Sequence, residues 1–188
     1  MKNGGVFTIA IIFMSLLLCY ACKEKEDNEY ERSLKLKLRS FKESAFVFPE
    51  SMLAKNYNEK EPADTNLLNR PYKMVVYLNS EGCQSCKLQS LLPLYLFVRE
   101  NENLEKLGVI IILNPSDFSK VDGILSQMRF RYTVFYDLDG ALEHLNPNLP
   151  PEERFHTFLL DDKNSIVLVG NPFHNIKMKR LYMKELSK

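Results

Sequence analysis

Cys83 and Cys86 stand at a junction that few folds supply: a continuous apolar run ends just before them and a helical stripe begins just after. The run is Tyr72 to Leu78 (Tyr-Lys-Met-Val-Val-Tyr-Leu). It is rich in β-branched and aromatic residues and predicts a central strand. Asn79-Ser80-Glu81-Gly82 reads as a turn. Beyond the cysteines, Leu88, Leu91, Leu92, Tyr95 and Leu96 form a helical stripe between Lys87 and Glu100, with Pro93 expected to kink the helix.

The rest of the chain continues that alternation. Val109 to Leu113 predicts a buried strand. A helix with Phe118, Val121, Ile124, Leu125 and Met128 on its apolar positions follows Asn114-Pro115-Ser116-Asp117, and Thr133 to Tyr136 predicts a third strand. Residues 137 to 151 form a turn-rich insertion, either a surface loop or a lid beside the site. Phe155 to Leu160 and Ser165 to Val169 then meet across Asp161-Asp162-Lys163-Asn164 as a hairpin, and Ile176 to Leu186 closes the chain as a helix. Strand–helix crossovers require a parallel sheet portion covered by helices, while the hairpin adds antiparallel strands. The expected class is α/β, a central mixed β-sheet flanked by helices over residues 72–188. Residues 33–71 are an N-terminal extension in which Leu34, Leu36 and Leu38 alternate with lysines, predicting a half-buried strand, and 55–71 reads as a loop.

The first 21 residues stand apart. Lys2 precedes Val6 to Leu18, an apolar stretch whose only polar residues are Thr8 and Ser15. It is shorter than the roughly 20 residues a membrane-spanning helix needs and has the length of a signal-peptide core. Small Ala21 and Cys22 follow, and composition then flips to Lys23-Glu24-Lys25-Glu26-Asp27. This arrangement resembles a bacterial lipoprotein signal, although Cys19 occupies the position where the pattern usually has Leu. The resemblance implies a signal peptide over 1–21, acylation of Cys22, and a hydrated tether over 22–32 that holds the protein to a lipid bilayer with no mature transmembrane helix. Lys23 followed by acidic residues also resembles the surface-export signal of Bacteroidetes lipoproteins. The expected location is the cell envelope, facing the periplasm or the cell surface. An ordinary signal peptide or membrane anchor is the other reading.

Lys2 is the only charge in the leader, and the remaining basic side chains then equal the 24 acidic ones. That balance, with no basic stripe, argues against nucleic acid as a partner. With Cys19 and Cys22 assigned to the leader and the lipid, only Cys83 and Cys86 remain. One pair closing so short a loop is a poor staple, and its presence is better explained by chemistry. Three readings stay open: a redox-active dithiol, an inert disulfide or degenerate site, and a metal site. The metal reading lacks ligands, because structural zinc wants four and the three histidines show no tight ligand spacing. No resident metal or cofactor is expected.

The order of elements, with Val75-Val76-Tyr77-Leu78 before Cys83-Gln84-Ser85-Cys86 and His156-Thr157-Phe158-Leu159-Leu160-Asp161 later, resembles the thioredoxin superfamily and, within it, thioredoxin-like lipoproteins of Bacteroidetes. The resemblance spans about residues 70–186. It implies that Cys83 attacks a substrate disulfide and that Cys86 resolves the mixed disulfide. It also implies envelope proteins bearing thiols or disulfides as partners, together with a membrane electron donor or acceptor. Position near a helix N-terminus favours the Cys83 thiolate. Lys87 is expected to face solvent.

Two departures are visible. The superfamily usually has a cis-proline before the strand facing the cysteines, and Phe155 falls at or next to that position; Phe155, His156 and Thr157 are therefore the residues expected to shape the site. The helix proline usually falls five residues after the second cysteine, and Pro93 is seven after. The first departure supports an alternative, a non-catalytic scaffold or binding module. His156 is the histidine best placed to face the cysteine pair, and an ordinary packed strand residue is the competing account.

Overall fold

Alternation along the central strand sorts the core into two layers. In the computed structural model, which describes residues 29–58, 61–99, 106–128, 130–173 and 175–188, β2 (Tyr72–Leu78) is the third-from-last strand of a six-stranded sheet. With β1 (Leu53–Lys55), β3 (Leu107–Leu113), β4 (Val134–Tyr136), β5 (Thr157–Leu160) and β6 (Ile166–Val169), the order is β1-β4-β3-β2-β5-β6. The β2–β3 and β3–β4 pairs are parallel, and β1–β4, β2–β5 and β5–β6 are antiparallel. The expected mixed sheet is therefore present, with an antiparallel edge strand, β1, that the polar composition of its surroundings concealed.

Met74, Val76, Val109 and Ile111 point to one face of this sheet, and Val75, Tyr77, Ile110 and Ile112 to the other. The first face is covered by Leu88 of α2 (Gln84–Gln89), Leu94 and Phe97 of α3 (Leu92–Arg99), Val121 and Leu125 of α4 (Phe118–Gln127), and Tyr182 and Leu186 of α6 (Ile176–Leu186). The second face is closed by Phe41, Phe46 and Leu142 of α5 (Ala141–Leu145), with the Phe41 ring edge-on to Phe158 at 5.3 Å between centroids. Each such side chain contributes on the order of 1.5–3 kcal/mol by leaving water.

The chain divides between Arg39 and Ser40, and all six strands lie after that point. Cys22, the leader and His174 lie outside the described residues.

Three local expectations are corrected. Residues 29–43 are helical rather than a strand (α1). Leu34 and Leu38 are partly buried and Phe41 is buried, a spacing of four and three, while Leu36 is 60% exposed. The leucine–lysine alternation thus hid a helical period that the Glu31–Lys35 ion pair, four residues apart, also follows. Pro93 does not kink one helix but separates two. It lacks the N–H that would donate to Gln89 O, and α2 ends at Gln89. Phe155 is not in a strand: it ends a 3₁₀ turn, Glu153–Phe155, its N–H donating to Glu152 O at 2.9 Å. The insertion at 137–151 contains α5, whose first turn is held by the Asp137 carboxylate accepting from Ala141 and Leu142 N–H at 2.9 Å each.

Candidate active site

The site grows from the C-terminal end of β2. Leaving the sheet, the chain passes through Gly82, whose φ of +68° lies in the left-handed region that L side chains disfavour. That turn delivers Cys83 as the N-cap of α2, and its Sγ accepts the Cys86 N–H at 3.3 Å. Cys83 and Cys86 form a disulfide with Cα atoms 5.3 Å apart, and both residues are exposed. A sulfur in this position meets a free backbone donor of the first helical turn, which favours negative charge on it once the disulfide opens. Ser85 Oγ lies 3.6 Å from the same sulfur.

The helix bearing the cysteines is tied down by polar contacts. Gln84 Nε2 donates to Asn79 O at 2.9 Å, and Lys87 Nζ donates to Asn79 O at 3.2 Å and Asn79 Oδ1 at 2.5 Å. Lys87 also pairs with Glu153 at 2.6 Å. Its side chain is only 10% exposed, so the expectation that it faces solvent is corrected: its ammonium is spent on bridging the helix, the turn after β2 and the 3₁₀ turn before β5. A small pocket beside this bridge is lined by Lys87, Ser90, Glu153, Thr157, Asn171 and Phe173. Thr157 is buried there, its carbonyl accepting Gly170 N–H at 2.7 Å.

Phe155 and His156 part company. The Phe155 ring is half-buried under the Arg154 guanidinium, 4.8 Å from its centroid, and its peptide bond is trans like the others among the described residues. His156 is 3% exposed. Its carbonyl accepts Tyr77 N–H at 2.9 Å, extending the β2–β5 ladder by one bond, and its ring lies 5.3 Å from that of Tyr77. Nε2 is 2.9 Å from Pro150 O, and Nδ1 has no partner among the described residues. A carbonyl only accepts, so Nε2 carries the proton and Nδ1 presents a lone pair. Burial pushes the imidazole pKa down and keeps the ring neutral, against the raising effects of the Pro150 contact, Glu143 and Glu153.

A second pocket, of about 240 Å³, is lined by Asn79, Glu81, Glu143, Asn146, His156 and the prolines at 147, 150 and 151. Tyr77 OH donates to Glu143 Oε1 at 2.9 Å, and burial, then that bond, raises the phenol pKa. Asn79, Lys87, Glu143 and Glu153 were not singled out from the sequence as site residues. Lys87 and Glu153 are 66 positions apart, and no local pattern announces their meeting. Among the described residues no group of three or more His, Cys, Asp or Glu could hold a metal ion, and no helix is long and apolar enough to cross a membrane.

The sequence matches no protein-family model and no curated protein. Solved structures do match. One is a candidate thiol:disulfide interchange protein DsbE from Chlorobium tepidum, 14% identical, with a TM-score of 0.50 over 76% of this chain and 95% of that one. Another is the solution structure of a candidate thioredoxin from Neisseria meningitidis, 12% identical, TM-score 0.50, covering 76% and 91%. At such identities the likeness shows the fold: this chain has a thioredoxin-like α/β fold with a CxxC disulfide at its strand-to-helix junction.

Proposed function

We propose that the protein is an envelope thiol–disulfide oxidoreductase, working chiefly as a reductase of protein disulfides through Cys83 and Cys86. The observation that carries this reading is the exposed disulfide whose Cys83 sulfur caps a helix and accepts the Cys86 N–H. In the dithiol form, the Cys83 thiolate attacks one sulfur of a partner disulfide. A Cys83–partner bond forms, and the other partner sulfur leaves as a thiolate that takes a proton from water. Cys86, deprotonated to solvent, then attacks Cys83 Sγ and expels the second partner thiolate. The partner gains two electrons and the Cys83–Cys86 pair loses two, so an external dithiol at the membrane has to recharge it.

Cys22 supplies the anchor in this proposal: residues 1–21 are removed, 22–32 tether the chain to a bilayer through the acylated cysteine, the last four of them already in α1, 33–71 extend the fold, and 72–188 carry the chemistry. The envelope location in this proposal rests on the apolar run Val6 to Leu18 followed by Ala21-Cys22. Phe155, His156 and Thr157 shape the approach of the partner. Phe155, in place of a proline, supports the second reading, a scaffold that binds partners without efficient exchange.

Equilibrating the full chain in detergent against glutathione and dithiothreitol buffers, with the Cys83–Cys86 state read by alkylation and mass spectrometry, separates the two. Exchange predicts a reversible two-electron couple between roughly −120 and −270 mV. A pair that never equilibrates with thiol buffers leaves the scaffold. Cys83→Ser abolishes reduction of a protein disulfide, and Cys86→Ser traps the partner on Cys83.

A further inference from the structure

The pocket between Glu81 and His156 is not used by the exchange chemistry, and acceptors dominate its lining, with the Asn79 amide NH2 as a side-chain donor. Its two charged side chains are carboxylates, Glu81 and Glu143. Glu143 Oε1 accepts Tyr77 OH, which leaves Oε2 as a further acceptor. Asn146 has spent both amide protons, on Val47 O at 2.9 Å and Leu142 O at 2.8 Å. Pro147, Pro150 and Pro151 have no backbone N–H to offer. His156, 3% exposed, also lines the pocket, and its buried Nδ1 has a lone pair that nothing among the described residues satisfies. A buried acceptor without a donor costs roughly 1–3 kcal/mol, a cost that a ligand donor would relieve.

Size and place narrow the occupant. At about 240 Å³ the pocket is smaller than the roughly 300–1,000 Å³ of sites for drug-sized ligands, and it suits the head of one side chain. Glu81 is two residues before Cys83, so whatever enters lies beside a polypeptide engaged at that sulfur. We propose that this pocket takes the guanidinium or ammonium group of an Arg or Lys flanking the reactive cysteine of a protein partner, and so selects basic sequences around partner disulfides. The guanidinium, with five donors in a plane, matches two carboxylates and an imidazole nitrogen better than a point-like ammonium does. This inference rests on the exchange reading above.

Two measurements test it separately from that reading. The first uses paired disulfide peptides identical except for arginine or citrulline beside one cysteine, reduced by the dithiol form of the full chain. The arginine peptide is expected to show a kcat/KM about tenfold higher at low salt, shrinking as ionic strength rises. Glu143→Gln and Glu81→Gln each bring the arginine-to-citrulline ratio toward one. Equal values for the two peptides in the unmutated protein overturn the pocket while leaving exchange intact; no reduction of either peptide, nor by dithiothreitol equilibration, overturns exchange instead. The second measurement needs no redox step. A cysteine-free arginine peptide is titrated into the disulfide form while the ring ¹⁵N resonances of His156 are followed. The Nδ1 signal is expected to move on binding and to stay still for the citrulline peptide. An unmoved Nδ1 at saturating arginine peptide overturns the proposal whatever the redox result.

Discussion

Two tyrosine hydroxyls in this molecule are buried against carboxylates, and their surroundings differ in a telling way. At one edge of the sheet, Tyr57 OH donates to Asp122 at 2.6 Å, bonds Tyr136 OH, and shares Asp122 with Lys55 at 2.5 Å. Those groups satisfy one another. Burial and then hydrogen bonding raise the Tyr57 phenol pKa, and Tyr136 is pushed up to about 12, chiefly by burial. Burial works against the Asp122 carboxylate, but its bonds to Lys55 and Tyr57 outweigh that and hold its pKa below the usual value. Beside the cysteines, Tyr77 meets Glu143 in a pocket where His156 Nδ1 is left without a donor. The first cluster is closed, its groups satisfying one another, whereas the second leaves a buried acceptor without a donor among the described residues.

The sharpest way to break this comparison is Asp122→Ala. It takes an acceptor from Lys55 and from the Tyr57 hydroxyl, which keeps only Tyr136, and we expect a loss of about 2 kcal/mol, discounted because Asp122 and Lys55 keep some contact with water. Urea denaturation should show a lower midpoint at an unchanged slope, with the Cys83–Cys86 potential unmoved. A shifted potential would show that the two clusters are not independent. Tyr77→Phe is the matching change in the open cluster. Glu143 is exposed, so water replaces the lost hydroxyl, and the expected cost is about 1 kcal/mol or less by the same denaturation measurement. A larger loss would make the open cluster structural too.

This difference also marks what was legible in the sequence. Elements whose signal is local came through: β2 over Tyr72–Leu78 and α6 over Ile176–Leu186 have the bounds that their apolar patterns predict. Cys83 was placed at a helix start by the strand before it and the stripe after it. Leu34, Leu36 and Leu38 misled, because alternation and a helical period share Leu34 and Leu38, and Phe41, a further helical step along, decides between them by packing on Phe158. The polar partners of the site were invisible for another reason. Asn79 reaches Lys87 across the loop, Lys87 reaches Glu153, and Tyr77 reaches Glu143, 66 residues away. Such pairings are products of the sheet order, which sets β2 between β3 and β5 and brings the 137–156 segment over the end of β2. A sequence names the donors and acceptors; the crossovers decide which of them meet.

The smallest expected effect separates the clusters by pH. His156 has its pKa lowered from 6.5 in the fold, chiefly by burial, so the unfolded chain binds a proton there before the folded chain does. Well above pH 6.5 both forms are neutral and the residue contributes no pH dependence. Below that, stability falls as pH drops until the folded pKa is reached, by less than about 1 kcal/mol at pH 6. Asp122 has its pKa depressed from 3.8, so its contribution is complete above that value and is lost only as pH falls through the folded pKa. The two windows open at different pH, near 6.5 for His156 and near 3.8 for Asp122. Urea midpoints of the disulfide form between pH 7.5 and 5.5, where no thiol titrates at Cys83 or Cys86, should therefore decline in the unmutated protein and flatten in His156→Phe, while Asp122→Asn keeps the decline. Replacing His156 also removes the unpartnered Nδ1 along with the Pro150 bond, so stability at pH 7.5 should change by no more than about 1 kcal/mol. A decline that persists in His156→Phe would assign the window to another group and would show that burial does not hold His156 neutral in the fold.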